Sequence, residues 1–545
     1  MADTAKDIIM LRDSERARQA QFRTLWQDTA DLVFPREDQI NQRTVPGRDK
    51  TRNIYDTTAI MDSQDMASGL SGALIPTGQK FFGLKVHDRA VADIGDVANY
   101  LTVATEVLHE QLFESNFMLQ LNETLRSLVV FGTGNLFSEW APKTGGLNFK
   151  DFDIGLYQIK EDSKGRVDTV ILSFSLSARQ AVQEFGSSKV GEDINKAAAS
   201  AESSSTMFDF IHIVRPRTDR KPNLSDNLNM PFESLFVEVK GEAVVKETGF
   251  EEIPFAVARW MKSSNEKYGR GQGTEVLSDV RMLQQMKKSF IDCGNRWNNP
   301  PLEVLEAHEG RVQVFPGALN FVQARKTIGA IEQNAMGNFP ITKEMLEFQQ
   351  EIIHKAFFRD IFVQLSNLKG DRRTTVEIIE RIREGLRRLA LPVARLQSEL
   401  FNPVITRCVF LLIRNGRLDP PPPELQGQEW GIEYQGELAL ALRNQQAKGF
   451  QQFVEFIAGM EQVFPGVSDI VRSDQAARRM AEAWGVNSGD IANEEEVEAK
   501  REQRQQAEAA QQAAQMAAMA AEGYNKTNKA PEEGSPAGQV MEAVK

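Results

Sequence analysis

The sequence predicts a mixed α+β fold that is predominantly helical. Apolar residues recur at helical spacing toward both ends of the chain, whereas between residues 147 and 260 they recur at every second position. With 545 residues, the chain is also longer than one hydrophobic core supports, which indicates several packed regions. Its 41% hydrophobic and 26% charged residues exclude fibrous, collagen-like and wholly disordered classes.

The first region is predicted to be helical. The pattern over residues 5–34 is typical of a surface helix, which Pro35 ends. Residues 36–53 form a polar, arginine-rich stretch that we interpret as a solvated connection rather than a DNA site. Asp56 is placed to cap the helix that follows it. Further helices are predicted over residues 56–76, 90–114 and 117–130.

The middle region is predicted to combine a sheet with one short helix. Residues 177–185 predict that helix, which Gly186 closes. The small polar residues over 197–206 favour a mobile insertion. Strand patterns cover residues 167–174, 208–214, 235–239 and 244–246.

Residues 274–358 are predicted to run as a helix, a small sheet and a returning helix. One apolar stripe indicates an amphipathic helix over residues 274–292. Alternating apolar residues between Leu302 and Phe321 indicate the small sheet, and a second helix is predicted over residues 342–358.

The longest helical pattern covers residues 374–414, which corresponds to about 60 Å of α-helix. Pro392 and Pro403 are each expected to kink or break it, because proline removes a backbone donor and clashes with the preceding turn. A stiff proline-rich connector follows at residues 419–423. Beyond it we predict helices over residues 438–460 and 473–483, an Ala/Gln-rich helix over 494–522 and disorder over 523–545.

The sequence offers no pattern typical of catalysis. The glycines between Gly72 and Lys80 have the wrong spacing for a phosphate-binding loop. Gly269, Gly271 and Gly273 lack the context of a dinucleotide site, and we interpret them as a hinge into the following helix. The five histidines are scattered without ligand spacing. We therefore predict no catalytic residues, no metal site and no cofactor.

The composition also limits where the protein is expected to be located and what it is expected to bind. Cys293 and Cys408 fit buried small side chains in a reducing compartment better than a disulfide. Because no leader-like start and no run of about 18 apolar residues appear, the chain is expected to be neither secreted nor membrane-spanning. A net charge of -12 argues against clamping nucleic acid over the whole surface, but does not exclude contact with DNA.

Four blocks of sequence carry a family resemblance. They are FRTLWQDTADLVFPR (22–36), IYDTTAIMDSQDMASGLSGALIPTGQKFFGL (54–84), YGRGQGTEVLSDVRMLQQMKKS (268–289) and RRTTVEIIERIREGLRRLALPVARLQSELFNPVITRCVFLLIRNGRL (372–418). By their order and spacing, the chain resembles the portal, or head-to-tail connector, proteins of short-tailed double-stranded DNA bacteriophages. The resemblance extends up to about Trp484, and no single block is a chemical signature.

The resemblance implies a non-enzymatic subunit of a twelve-fold ring at one capsid vertex, with a portal fold around a DNA channel. The implied regions are the wing (1–273), stem helix 1 (274–294), clip (295–340), stem helix 2 (341–358), channel loop region (359–373), long kinked wing helix (374–418), connector (419–436) and crown (437–493). A helical Ala/Gln-rich tail (494–545) that ends disordered follows them, and whether it forms a barrel stays open.

The resemblance also implies partners. These are further copies of the chain in a homo-dodecamer, double-stranded DNA, the terminase motor, a tail adaptor protein, the major capsid and scaffolding proteins and internal core proteins, with no membrane. The subunit would assemble in the bacterial host cytoplasm and remain in the virion.

Two short segments are the candidate functional sites. In the family, residues 364–373 correspond to the channel loop, and an ordinary solvated loop is the alternative interpretation. The candidate DNA-facing residues are Asn367, Lys369, Arg372 and Arg373. The candidate docking residues of the clip, for motor and tail, are His308, Glu309, Gly310 and Arg311.

Two other functions stay open at this point. A terminase motor would need a nucleotide loop and acidic metal ligands, which the sequence does not show. An internal scaffolding or core protein is favoured by the Ala/Gln/Glu-rich tail, but would be expected to lack the order of helix, small sheet and helix.

Overall fold

The computed structural model describes most of the chain. The described residues are 2–37, 39–41, 47–76, 80–86, 88, 91, 94–142, 145–221, 224, 226–298, 302–304, 328–330, 339–366, 388–425, 430–435, 453–457, 459–460, 474, 477 and 494–527. The chain divides into two units, each of which is described by itself. The first comprises Met1–Leu84, Val103–Pro420 and Ile432–Leu442, and the second Lys85–Thr102, Pro421–Gly431 and Arg443–Lys545.

The fold is mixed α+β and predominantly helical, as predicted. The helices are α1 Ala2–Arg18, α2 Ala20–Val33, α3 Thr58–Leu74, α4 Gly95–Glu114, α5 Phe117–Phe131, α6 Ala178–Phe185, α7 Glu192–Ala199, α8 Gln272–Glu275, α9 Leu277–Asn298, α10 Phe339–Ala356, α11 Arg359–Ser366, α12 Arg388–Arg414 and α13 Glu494–Thr527. The strands are β1 Phe82–Val86, β2 Thr133–Ala141, β3 Gly146–Asp151, β4 Tyr157–Glu161, β5 Val167–Ser177, β6 Met207–Pro216, β7 Phe232–Glu238, β8 Ala243–Phe250, β9 Phe255–Arg259, β10 Leu302–Val304, β11 Ile328–Ala330 and β12 Trp430–Tyr434.

The N-terminal pattern differs from the predicted surface helix in two ways. It forms two helices, since α1 ends at Arg18 and α2 begins at Ala20. It is also a core element, because Ile8 packs into the hydrophobic cluster of the largest sheet and Trp26 is fully buried. The break was missed because Gln19, the residue between the two helices, is neither proline nor glycine and gives no local signal of a helix end.

The largest sheet is antiparallel, with the order β4-β5-β6-β7-β8. It includes all four predicted strands. As predicted, the short helix α6 follows β5 and ends at Gly186, which has a φ of +86°. Residues 197–206 are not the predicted mobile insertion: they contain the end of α7 and a turn in which Ser203 donates a hydrogen bond of 2.9 Å to the carbonyl of Ala197. The small side chains there allow α7 to pack closely against the sheet.

The smaller sheet, ordered β3-β2-β9, packs against α5. The glycines before α9 provide close backbone packing here, rather than the predicted hinge. A Cβ atom at Gly269 would lie 2.2 Å from the carbonyl oxygen of Gly132, and one at Gly271 would lie 2.5 Å from that of Val129. Gly269 and Gly271 therefore let the chain before α8 and α9 lie directly against the end of α5.

Residues 277–356 follow the predicted order of helix, small sheet and helix. Helix α9 leads to β10, which pairs antiparallel with β11, and α10 returns. The two helices pack against each other. The assignment of these elements to stem and clip stays a prediction.

Helix α12 is irregular at one of its two prolines. It continues through Pro392, but residues Gln397–Phe401 form a π turn directly before Pro403. Proline has no N–H to donate to the preceding turn, and the wider turn accommodates this loss. The helix is long and apolar enough to cross a membrane, but 56% of its most apolar window is buried inside the protein, which is typical of a core helix.

Both cysteines are free thiols, as expected from their number and spacing. Cys408 is fully buried in α12, and burial raises the pKa of its thiol to about 12. Cys293, in α9, is half-buried. The Cys408 thiol therefore lacks the depressed pKa of a reactive cysteine.

The second unit contains α13, a helix of 34 residues. Its side chains are exposed from Arg501 to Met516. The helix continues to Thr527, so residues 523–527 are helical rather than disordered as predicted. Strong helix formers, chiefly Ala, Gln and Glu, account for a helix whose side chains from Arg501 to Met516 are all exposed.

Candidate functional site

Both residue sets singled out by the sequence lie outside the described residues. Asn367, Lys369, Arg372 and Arg373 fall in the stretch 367–387, and His308, Glu309, Gly310 and Arg311 fall in the stretch 305–327. The structure does describe the elements that lead into each stretch. These elements are the helix pair α9 and α10, the short helix α11 and the start of α12.

The helix pair buries one apolar stripe from each helix. Val280 and Leu283 of α9, and Leu346 and Ile353 of α10, are at most 5% exposed. The spacing of three or seven residues keeps these side chains on the inner face of each helix. Across the pair, Gln349 Nε2 donates a hydrogen bond of 2.9 Å to Asp279 Oδ1.

A buried polar group joins the helix pair to the segment before α3. Gln284 Nε2 donates to the carbonyl of Asp56 at 2.6 Å, and Gln284 Oε1 accepts the N–H groups of Tyr55 and Asp56. Gln350 Nε2 donates to Asp56 Oδ2 at 2.9 Å. The other carboxylate oxygen of Asp56 accepts the N–H of Thr58. The N-cap residue of α3 is Thr57, so the prediction that Asp56 caps this helix was wrong, and Asp56 instead holds both helices of the pair.

A second polar group lies where α10 meets α11. The buried carboxylate of Asp62 has Oδ2 2.6 Å from Nδ1 of His354, and Oδ1 3.6 Å from the guanidinium of Arg359. Burial raises the pKa of Asp62, while His354 and Arg359 oppose this shift. The group therefore ties the end of α10 and the beginning of α11 to the same point on α3.

The turn between α10 and α11 has an unusual backbone. Phe358 has a φ of +54°, a backbone conformation that residues other than glycine rarely adopt. Phe362, one turn into α11, lies against Gly69 of α3, where a Cβ atom would come within 2.3 Å of the Phe362 ring. The glycine thus admits the ring, and the two phenylalanines set the direction in which the chain enters residues 367–387.

A buried charge network holds α12 to the sheets. The N–H and Nε of Arg259 donate to Glu399 Oε2 at 3.0 and 3.1 Å, and its Nη2 donates to Oε1 at 2.7 Å. Arg259 also pairs with Glu161. Burial lowers the pKa of the Arg259 guanidinium, whereas Glu399 and Glu161 raise it, and the net shift is upward. Glu399 lies in the π turn, so this network fixes the irregular part of α12.

Both helices of the pair keep large apolar side chains in solvent. Met282 and Ile291 of α9 are 48% and 41% exposed, and Met345 and Phe348 of α10 are 55% and 68% exposed. Exposed apolar side chains concentrated on neighbouring helices are typical of a surface that binds another protein.

One group of carboxylates was missed by the sequence analysis. Glu37, Asp151 and Asp153 place one oxygen each within 4.8 Å of the others. Asp151 and Asp153 stand two residues apart, but Glu37 lies more than 100 residues earlier in the chain, so no local spacing relates all three. A signal was available in α5, where Thr124 and Ser127 interrupt an apolar helical run and hydrogen-bond to two of the carboxylates.

Comparisons with known proteins identify the family. A family model described as "Bacteriophage head to tail connecting protein" matches residues 5–491. The chain is 28% identical over 513 residues to the portal protein of Salmonella phage epsilon15, with 92% of each chain covered. It is 25% identical over 503 residues to the probable portal protein of Bordetella phage BPP-1, covering 90% of this chain and 89% of that protein. The resemblance of the four sequence blocks is thereby confirmed, and the chain belongs to the portal, or head-to-tail connecting, protein family of bacteriophages.

Proposed function

We propose that the chain forms a closed homo-dodecameric ring at one capsid vertex, through which the genome is packaged and ejected. As a portal family member it is a structural protein of the head-to-tail junction. The observation that supports the ring is the exposed apolar set on the helix pair, Met282, Ile291, Met345 and Phe348. Contacts of one face of a subunit with a different face of the next subunit close such rings.

The helix pair is proposed to line the ring interface as the stem. Within the subunit, the inner faces of α9 and α10 pack against each other, and Gln284 and Gln350 both donate hydrogen bonds to Asp56. The exposed apolar side chains are then available to neighbouring copies. Complete burial of each of these side chains between subunits would stabilise the interface by about 1.5–3 kcal/mol. Repetition around the ring makes such an interface cooperative.

Electron microscopy of the purified full-length protein tests this proposal. Averaged particles are expected to show a closed ring with a central channel, and native mass measurement is expected to give twelve copies. A protein that stays monomeric at high concentration would contradict the ring. No ATP hydrolysis or DNA cleavage is expected from the protein alone.

Residues 367–373 are proposed to act as the channel loop. They follow α11 directly, and the position of α11 is set by Arg359, Phe358 and Phe362. Cations on a loop repeated around a channel contact phosphates without reading the base sequence. Each contact is weak enough, and sufficiently screened by salt, for DNA to keep moving.

Replacing Lys369, Arg372 and Arg373 together by Ala tests the channel loop. Rings are expected to assemble, while DNA packaging or retention falls in a manner that depends on ionic strength. Packaging and retention equal to the parent protein at both low and high salt would refute the assignment.

Residues 295–340 are proposed to form the clip that docks the packaging motor and later the tail. The described part is the antiparallel pair β10 and β11 between the two helices. Substituting His308, Glu309 and Arg311 by Ala is expected to leave rings intact and to impair motor or tail attachment. Unchanged attachment of both partners would refute this role.

A further inference from the structure

A carboxylate, an imidazole and a guanidinium form a chain of contacts where α10 turns into α11. Asp62 of α3 is only 1% exposed, and its Oδ2 lies 2.6 Å from Nδ1 of His354 in α10. Arg359 is the first residue of α11, and its Nη1 lies 3.0 Å from Nε2 and 3.1 Å from Nδ1 of the same imidazole. The imidazole therefore contacts both the buried carboxylate and the cation.

These contacts assign the proton of the imidazole. A carboxylate accepts hydrogen bonds, so Nδ1 of His354 donates to Oδ2 of Asp62. A guanidinium can only donate, so the ring has to offer Arg359 a lone pair, which Nε2 carries when the imidazole is neutral. The hydrogen-bond network thus assigns a neutral His354 with its proton on Nδ1.

Protonation of His354 would remove the charge that attracts Arg359. With a neutral imidazole, Arg359 faces the negative charge of Asp62, whose Oδ1 lies 3.6 Å from Nη1. With an imidazolium, Asp62 and His354 together carry no net charge, and Nε2 becomes a donor 3.0 Å from the donor Nη1. Attraction is then replaced by repulsion, and imidazole is the side chain that ordinarily titrates between about pH 5 and 8.

The other charged groups near His354 leave this balance in place. Among the described residues, the charged groups in hydrogen-bond contact with the imidazole are Asp62 and Arg359. The remaining groups are Asp65 of α3, which acts on Asp62 electrostatically, Glu351 and Lys355 of α10, which pair with each other at 3.3 Å, Asp360 of α11, Asp56, which accepts from Gln350, and Asp279 of α9, which accepts from Gln349. Asp65 adds to the negative side of the chain of contacts, and Glu351 compensates Lys355.

The backbone makes α11 dependent on this anchor. Phe358, between α10 and α11, has a φ of +54°, which is unfavourable for a residue with a side chain. Helix α11 has only eight residues, and helices this short are marginal without tertiary contacts. Its contacts with α3 include Arg359 at its start and Phe362 against Gly69. Loss of the Arg359 contact would therefore loosen the start of the helix.

We infer that His354 is a protonation-sensitive positioning residue, whose neutral form joins Arg359 to Asp62 and whose protonated form releases the start of α11 from α3. The attachment of α11 is then complete above the range in which the imidazole titrates, and it weakens as the pH falls through that range. Burial raises the pKa of Asp62 while His354 and Arg359 lower it, so the carboxylate also depends on both partners. Helix α11 leads into the proposed channel loop, and only this link rests on the proposed function.

Hydrogen–deuterium exchange of the full-length protein at about pH 5 and about pH 8 tests the inference, with rates corrected for the intrinsic pH dependence of exchange. We expect the protection of the α11 amides to be about two- to fivefold lower at the acidic pH, because the Arg359 side chain is 43% exposed and its contact is partly screened. The amides of the buried helix α5 are expected to keep their protection. Equal protection of α11 at both pH values, or an equal loss in α5, would overturn the inference.

Matched variants assign the effect to the imidazole and the guanidinium. His354→Asn keeps an N–H donor for Asp62 but cannot be protonated, and Arg359→Gln keeps a donor but has no charge to repel. In both variants, the protection of α11 is expected to differ by less than about 1.5-fold between the two pH values. Lys355→Gln removes an exposed cation next to His354 in the sequence and is expected to behave like the parent.

The variants also separate the alternative sources of an acid effect. A loss of protection that persists in His354→Asn would assign the titration to Asp62 or another carboxylate. A loss that persists in Arg359→Gln would exclude repulsion of the guanidinium, and either result would overturn the inference. The exchange measurement requires neither a ring nor DNA, so failure to form rings would contradict the proposed function and leave this test valid.

Discussion

The five-stranded sheet and the helix pair use apolar side chains in opposite ways. Phe185, Phe210 and Phe236 lie between the sheet and α6, with ring centroids 5.3–5.6 Å apart for the two pairs that Phe185 forms. In the helix pair, Phe348 is 68% exposed and Met345 is 55% exposed. The sheet region thus completes its core within one subunit, whereas the helix pair retains an apolar surface for association. Folding and assembly are therefore expected to be separable by mutation.

The strongest expected contrast is between two phenylalanines. Phe210→Ala removes a buried ring and is expected to lower the free energy of unfolding of the subunit by about 3–5 kcal/mol. Phe348→Ala is expected to change it by less than about 0.5 kcal/mol, because this ring is mainly in solvent. Denaturant unfolding of dissociated subunits measures both values. Equal losses for the two variants would contradict the comparison.

Buried and exposed ion pairs give the next contrast. Glu399→Ala leaves Arg259 buried without its main partner and is expected to lower the free energy of unfolding by roughly 3 kcal/mol. Glu347→Ala breaks the exposed pair with Lys343 in the helix pair and is expected to change it by less than about 0.5 kcal/mol. The same denaturant measurement applies. A loss for Glu347→Ala as large as that for Glu399→Ala would be inconsistent with this distinction.

The carboxylate group predicts a pH dependence of stability. Since the pKa of Asp151 rises from 3.8 to about 7 on folding, its ionised form is disfavoured in the folded state. Stability should therefore fall as pH rises from about 4 to 7, the interval between the two pKa values. Asp151→Asn should reduce this loss by at least about 1.4 kcal/mol, the equivalent of one pKa unit. A pH profile of stability in Asp151→Asn identical to that of the parent would refute the raised pKa of Asp151.

The smallest expected effect concerns the base of the helix pair. Gln350→Ala removes one hydrogen bond to the carboxylate of Asp56 and is expected to lower the free energy of unfolding by about 1–2 kcal/mol. Glu351→Ala, the exposed neighbour, is the control, with a change below about 0.5 kcal/mol. If Gln350→Ala also had no effect, the polar group would not be what fixes the helix pair.

Periodicity predicted the elements with a regular apolar pattern. The stripe from Val276 to Phe290 reflects one helix face against a core, and β5 to β8 are rich in apolar residues because clusters cover both faces of their sheet. The helix, small sheet, helix order and the main strands therefore followed from the sequence. The break between the first two helices was missed because Gln19 gives no local signal of a helix end. Gly269 and Gly271 were interpreted as a hinge because the backbone packed against them lies more than 130 residues earlier in the chain.

Sites built from distant residues were harder to predict. Glu37 and Asp151 are separated by more than 100 residues, and Arg259 and Glu399 by 140 residues, so no local spacing relates them. The candidate clip and channel residues came from the family resemblance and from local charge. They lie outside the described residues and stay predictions. Local sequence pattern therefore predicted the framework of the fold, but not the side-chain groups that its tertiary structure assembles.

Ring assembly of a double variant of the helix pair tests the central claim most directly. Met345→Asp with Phe348→Asp places charges on the exposed apolar face, and Met345→Leu with Phe348→Leu is the control that keeps the face apolar. Electron microscopy with native mass measurement should show rings for the parent and the control, but folded, dissociated subunits for the Asp variant. Intact rings of the Asp variant, in the parent's proportion, would contradict the claim that the helix pair forms the subunit interface.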